Sequence, residues 1–307
     1  METSTYNLCL LISNLSDKQF AAKEKDELRF NAKEKEVLTK NNKIDFNGCV
    51  KSYIQQRARG AYIASICQLE ASFDLAAAAQ VTTNPTKEEI SRLNKRIIWQ
   101  KQNVNCGLSY VQLKMTDLKL FAFVDASFAN NKDMSSQMGY TIVLGNEITN
   151  NTSFTIRGNI IHYVLASKIY AMAYSVNIAI AIRSTLNVIM DRLSLPHVPI
   201  VVCTDSLSLY ECLVKLGTTK EKRLMIDIMA LREAYERGEL KDIRWIDGRD
   251  NPADAMTKAN ANASMEQLIN TNELELRVQG WVNRATHRDA TVSTTRDTLG
   301  AEDIHKV

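Results

Sequence analysis

Proline is scarce in this chain, with 4 in 307 residues, and glycine stops at 11. Such scarcity argues against a mostly disordered chain, and a hydrophobic content of 45% supplies a core. No sign of charge dominates: 38 basic residues face 35 acidic ones for a net +3, too even to establish a polyanionic partner by charge alone. The six cysteines (Cys9, Cys49, Cys67, Cys106, Cys203, Cys212) never form a Cys-x-x-Cys pair and read as reduced core thiols of an intracellular protein. No apolar run reaches transmembrane length once its Tyr, Asn, Ser and Arg are counted, so no membrane partner is expected. The apolar run from Leu8 to Ile12 is too short for a targeting segment and has no basic residue before it. Nothing distinguishes a cytoplasmic from a nuclear location.

What is present divides near residue 110. The first part opens with a short apolar piece, then carries two similar Lys/Glu-rich stretches, Ala22 to Leu28 and Ala32 to Leu38, which read as solvated helical faces. Residues 50–80 are helical in character and rich in small side chains. Thr86 with Glu89 forms a capping box, and Ile90, Leu93, Ile97 and Ile98 then fall on one helical face. After Leu108 the period shortens. Leu118 to Asp125 and Met138 to Leu144 are strand-like, Asn159 to Val164 is a short third strand, and Leu165 to Met190 is a long, nearly uncharged helix buried on most sides. A strand from Ile200, a helix capped by Ser206, an amphipathic helix over Lys222 to Glu236, a strand over Ile243 to Ile246 and a short helix over Met265 to Ile269 follow. From about Val282 the chain turns polar and reads as an unstructured tail. Sequential strands followed by strand-helix alternation imply a mixed sheet with helices on its faces, an α/β fold.

Three acids stand at strand ends: Asp125 closes the Phe121 to Val124 strand, Asp205 follows Ile200 to Thr204, and Asp254 lies just past Trp245-Ile246. Strand ends are where an α/β sheet presents chemistry. Clustered carboxylates raise one another's pKa, and a divalent cation relieves that repulsion. Each acid alone reads better as a cap or turn residue; the three together point to metal-assisted phosphodiester chemistry.

Phe123-Val124-Asp125-Ala126-Ser127, Cys203-Thr204-Asp205-Ser206 and Asn251-Pro252-Ala253-Asp254-Ala255-Met256-Thr257-Lys258 together resemble the ribonuclease H domain of copia-type LTR retrotransposon polyproteins of the fungal kind. The sequence Asn-x-Ala-Asp-x-x-Thr-Lys is the most specific of these signatures. The resemblance covers roughly residues 118–280. More weakly, Phe46-Asn47-Gly48, Arg59 to Ile63 and Phe73-Asp74-Leu75 resemble the thumb and connection of a reverse transcriptase. It implies a ribonuclease H-like mixed five-stranded sheet flanked by helices over 116–281. Before it comes a mostly helical reverse-transcriptase remnant over 1–115, and after it a disordered tail over 282–307. It also implies Mg²⁺, with Mn²⁺ as a substitute, held by Asp125, Asp205 and Asp254, and an RNA–DNA hybrid as partner.

The chain departs from that family in three ways. The family's Ala-Ser-Glu-Leu-Tyr-Ala-Met is here Ala166-Ser167-Lys168-Ile169-Tyr170-Ala171-Met172, which puts Lys168 at a Glu position, and no Asp or Glu occurs between Glu147 and Asp191. Roughly a dozen residues of the segment before that helix are missing, which is expected to shorten the third strand and expose a sheet edge. The Tyr-x-Asp-Asp of a polymerase is absent, as is any His between Trp245 and Asp254. The expected protein is a retrotransposon-derived, ribonuclease H-like chain impaired in cleavage. The alternatives are an active three-carboxylate ribonuclease and a non-catalytic nucleic-acid-binding module, for which Lys220, Lys222 and Arg223 are scattered basic candidates.

Overall fold

The computed structural model describes residues 26–28, 50–81, 83–127, 137–149, 153–166, 171–214, 222–258 and 261–283. Lys168, Lys220, the first Lys/Glu-rich stretch up to residue 25, the second stretch, and the tail from 284 lie outside the described residues, so those readings are not met by structure.

The first described layer is helical. Strand β1 (Asp26–Leu28) pairs antiparallel with β2 (Leu108–Tyr110). Between them run α1 (Val50–Ala64), α2 (Ser72–Ala79) and α3 (Lys87–Gln102). The expected capping box opens α3: the Thr86 backbone N–H donates to Glu89 Oε2 at 2.8 Å and the Glu89 N–H donates to Thr86 Oγ1 at 3.3 Å. Tyr53, Leu75, Ile90, Leu93 and Ile97 form a core of their own between these helices. Ile98, placed on the same face from sequence, is instead exposed.

A seven-stranded sheet follows, in the order β8-β5-β4-β3-β6-β7-β9. Its members are β3 (Leu118–Ser127), β4 (Gln137–Thr149), β5 (Phe154–Ala166), β6 (Ile200–Thr204), β7 (Asp242–Ile246), β8 (Glu273–Leu276) and β9 (Val278–Asn283). β3, β4 and β5 form an antiparallel meander, whereas β6 and β7 run parallel to β3. The α/β class and the mixed sheet flanked by helices are as expected. The five expected strands are the inner five, and two short antiparallel strands add to the edges, β8 on β5 and β9 on β7. The third strand is not short: β5 spans 13 residues, and β8 pairs with its Phe154 to Arg157 stretch. Ile156, Ile160 and Ile161 favour that extended chain and fill the core on its two sides.

Strand alternation sorts β3 between two cores. Leu120, Ala122 and Val124 face one layer, made by α4 (Ala171–Arg192), α5 (Leu207–Val214) and α6 (Lys222–Glu236). Phe121 and Phe123 face the other, made by α7 (Ser264–Thr271), the 3-10 turn Pro252–Met256, and Leu69, Leu108 and Tyr110 from the helical part. β3 is therefore buried on both faces, which explains its continuous apolar run.

Helix α4 corrects two expectations. It begins at Ala171 rather than Leu165 because the preceding residues extend β5 to Ala166. It is also buried on one face only: Val176, Ala179, Leu186 and Met190 pack on the sheet while Tyr174 and Val188 lie in the open. By length and composition its stretch Ala173–Arg192 is long and apolar enough to cross a bilayer, contrary to the sequence count, but its apolar stripe is spent on the sheet.

Candidate functional site

Asp125 and Asp205 meet because of strand parity. Asp125 follows Phe121 and Phe123 on their face of β3, and Asp205 follows Val201 and Cys203 on the same face of the parallel neighbour β6. Phe123 is in register with Cys203, so the two acids stand side by side at the C-terminal ends of adjacent parallel strands. The chain leaves β3 toward β4 on one side and returns through α4 to β6 on the other. The acids thus mark a topological switch point, the place where open α/β sheets take ligands.

Asp254 arrives from the turn that follows β7. Asn251, fully buried, donates from Nδ2 to the Val124 carbonyl at 3.1 Å and accepts from the Ala253 N–H, which pins the 3-10 turn to the end of β3. Pro252 fits at the first position of that turn, where no N–H is required. Opposite Asp125 in the ladder sits Gly139. A Cβ there would stand 2.3 Å from the Met256 Cβ, so only glycine lets the turn lie this close to the sheet. Gly248 packs with similar economy, since a Cβ on it would lie 3.3 Å from Asp205 Oδ2.

The side chains between the acids are closely tied. The Thr257 hydroxyl donates to Asp125 Oδ2 and lies 3.2 Å from the Asp254 carbonyl. Asp254 Oδ2 accepts the Asn262 backbone N–H at 2.8 Å, and Asp254 Oδ1 accepts from Lys258 Nζ. The same ammonium lies 3.8 Å from Asp125 Oδ2. Asn262 also donates from Nδ2 to the Gly248 and Asn251 carbonyls, closing the loop around Asp254. Asp125 and Asp254 are almost fully buried, while the Lys258 side chain is about two-fifths exposed.

Two titrations follow from this crowding. Burial, then the neighbouring Asp125 charge, pushes the Asp205 carboxyl up to about 6, against smaller opposing effects from Lys258 and Asn251. Burial pulls the Lys258 ammonium down, but its bond to Asp254 and the charges of Asp125, Asp254 and Asp205 outweigh that, and the net shift is upward. At the rim, Arg277 grips Asp250 through Nε and Nη2 at 2.9 and 2.6 Å, and Arg249 holds Asp247 below the usual carboxylate range.

The structure thus brings Asp125, Asp205 and Asp254 to one end of the sheet. Lys168, the fourth position of interest, lies outside the described residues. His162, read as structural, is half-buried in β5 with its ring stacked on Tyr140 at 5.6 Å. Asn251, Thr257 and Lys258 stand in the Asn-x-Ala-Asp-x-x-Thr-Lys signature, which names no contact for them, and Asn262 lies outside it. The four-residue spacing of Asp254 and Lys258 was the available signal, since such a spacing joins opposite charges across one helical turn.

A divalent cation of the Mg²⁺ type takes about six oxygens with lone pairs turned toward it. Here both oxygens of Asp254 and one of Asp125 are directed at donors of the protein itself. Among the described residues no group of three or more His, Cys, Asp or Glu side chains is arranged to hold a metal ion. As they stand, these side chains do not fit that group.

No protein-family model matches the chain, and no curated protein matches it. Among solved structures it is similar to LC11-RNase H1, isolated from compost by a metagenomic approach, at 17% identity over 48% of this chain and 98% of that one, with a TM-score of 0.31. It is also similar to the N-terminal RNase H domain of a Mycobacterium tuberculosis protein, at 13% identity over 49% of this chain and 98% of that one, with a TM-score of 0.31.

Proposed function

We propose that residues 116–281 form a ribonuclease H-like domain derived from a copia-type retrotransposon polyprotein. On this reading the preceding helices are what is left of the end of a reverse transcriptase. The observation that carries the proposal is the pair Asp125 and Asp205 on one face of adjacent parallel strands, with Asp254 brought over them by the Asn251-pinned turn. A phosphodiester is the substrate class that such an acid frame serves, and an RNA–DNA hybrid is the partner that the sequence resemblance implies. The same resemblance assigns Mg²⁺, or Mn²⁺ in its place, to these three acids. Lys168 stands where the family has Glu, so cleavage is expected to be weak or absent. Removal of a group that acts on the transition state costs several kcal/mol, or about a thousandfold or more in rate.

The test is cleavage of a labelled RNA–DNA hybrid in Mg²⁺ or Mn²⁺ by the unmodified chain, Lys168→Glu and Asp205→Asn. Marginal cleavage that Lys168→Glu raises supports the reading. Efficient cleavage by the unmodified chain, abolished in Asp205→Asn, would overturn the claim of impairment and favour the active three-carboxylate enzyme. Salt-sensitive hybrid binding with no cleavage by any variant would favour a binding module.

A further inference from the structure

Helix α4 carries no Asp, Glu, Lys or His from Ala171 to Met190. Its one charged side chain there, Arg183, is half-buried and donates from Nη1 to the Glu239 carbonyl at 2.7 Å. A helix on the surface of a globular protein ordinarily turns charged residues outward. Here the outward face holds Tyr174, Asn177, Ala181, Ser184 and Val188, with Thr185 beside them. The first five alternate spacings of three and four residues, as the seam of paired helices does. Tyr174 is 48% and Val188 54% exposed. The two hydroxyls are already spent on the helix itself. Ser184 Oγ donates to the Ile180 carbonyl at 2.8 Å, and Thr185 Oγ1 donates to the Ala181 carbonyl at 3.2 Å. Covering this face therefore buries no charge and leaves neither hydroxyl without a partner.

We propose that this face is a contact between two copies of the chain, packed through antiparallel α4 helices about a two-fold axis at Ala181. The inference goes beyond the ribonuclease H-like reading and does not depend on it. Charge argues for a second copy. A two-fold contact sets a patch against itself, so a charged patch is repelled by its own copy and an uncharged one is not. Spacing argues for the antiparallel arrangement. Ala181 lies midway between Tyr174 and Val188, so each Tyr174 meets the other copy's Val188 while the short side chain stands on the axis, where the helices come closest. Opposed helix dipoles favour the same arrangement. The contact is a modest one. The 22 residues of α4 reach about 33 Å, and a single helix pair falls at the low end of specific interfaces, about 1,200 Å² in total or less, which suits a dimer that dissociates at micromolar concentration. It also leaves the acids free. β5 ends with Ala166 paired to Met138, next to the Gly139 that faces Asp125, so α4 starts at the acid end of the sheet. Antiparallel pairing points the two acid ends in opposite directions.

The experiment is analytical ultracentrifugation of the full-length chain from about 1 to 300 μM, a range that spans the affinity expected of such an interface. The unmodified chain should pass from monomer to dimer within it. Ala181→Glu sets two like charges against each other on the axis and should weaken the dimer about tenfold or more, with the circular dichroism of the unmodified chain retained because the position is exposed. The double variant Asn177→Lys with Thr185→Glu tests the orientation. Its two charges are eight residues apart in one chain, beyond the reach of an intrahelical pair, but face each other across an antiparallel axis. It should dimerise at least as well as the unmodified chain, whereas a parallel pair would set Lys on Lys and Glu on Glu. Met229→Glu, on the exposed side of α6, should change nothing. A chain that stays monomeric throughout, a dimer indifferent to Ala181→Glu, or a dimer lost in the double variant would each overturn the inference. So would co-sedimentation of the monomer with phosphatidylcholine vesicles that Ala181→Glu abolishes, which would assign the face to a bilayer.

Discussion

At the scale of single residues, the site is dominated by what each carboxylate can lean on. Asp125 and Asp254 have close donors, whereas at Asp205 burial and the Asp125 charge outweigh its own hydrogen bonds and push its carboxyl up to about 6 from 3.8. The sign follows directly. Between those two values the folded chain holds a proton that the unfolded chain has released, so folding is favoured on the acid side. The native state then loses stability as pH rises through this window, and the penalty is complete above about 6. Asp205→Asn removes the charge and keeps the shape. It should melt about 2–4 °C higher than the unmodified chain at pH 8, with the gap closing near pH 4; thermal melts across that range check it. Asp125 and Asp205 were legible in the sequence because each ends an apolar run, and Asp254 because it stands in the Asn-x-Ala-Asp-x-x-Thr-Lys signature. Lys258 was visible as a letter but not as a partner, since only the folded turn brings its ammonium back over Asp125.

At the scale of elements, the site depends on how near the 3-10 turn Pro252–Met256 can come to β4. An added methyl at Gly139 would sit 2.3 Å from the Met256 Cβ, an atom fixed to the backbone. Two effects compete in Gly139→Ala. Loss of chain freedom in the unfolded state favours alanine by about 0.4–1 kcal/mol. Overpacking against a turn that cannot yield costs about 1–3 kcal/mol. The clash wins, and the urea midpoint should fall by roughly 0.5–1 M; a rise would show that the turn can back away at no cost. Elements with a strong local signal were legible: the continuous apolar run of β3, the capping box of α3, and the amphipathic α6. The edge strands were not. β8 alternates Glu273, Leu274, Glu275, Leu276 over only four residues, and β9 carries Gln279 and Gly280 and runs on to Asn283, past Val282 where the chain reads as an unstructured tail. Both owe their strand form to the neighbour that they complete, which no local pattern records.

At the scale of the whole molecule, the helical part and the sheet share a core. Leu69, Leu108 and Tyr110 pack with Phe121, Phe123 and Ile156. Asn159 on β5 exchanges two hydrogen bonds with the backbone of Val111, at 2.8 and 2.9 Å, and the Tyr163 hydroxyl donates to the Ala64 carbonyl. A fragment of residues 116–283 should therefore melt lower than 50–283 and bind an apolar dye; a cooperative melt at the same temperature with no dye binding would contradict this. The contacts at Asn159 and Tyr163 have a further consequence. β8 pairs with β5 only from Phe154 to Arg157, and along the next stretch these two side chains fasten the upstream chain against the strand. Severed from that chain, β5 would offer its free margin as a template for a second copy. The upstream chain thus covers backbone N–H and C=O groups that would otherwise stand as a sheet edge open to pairing.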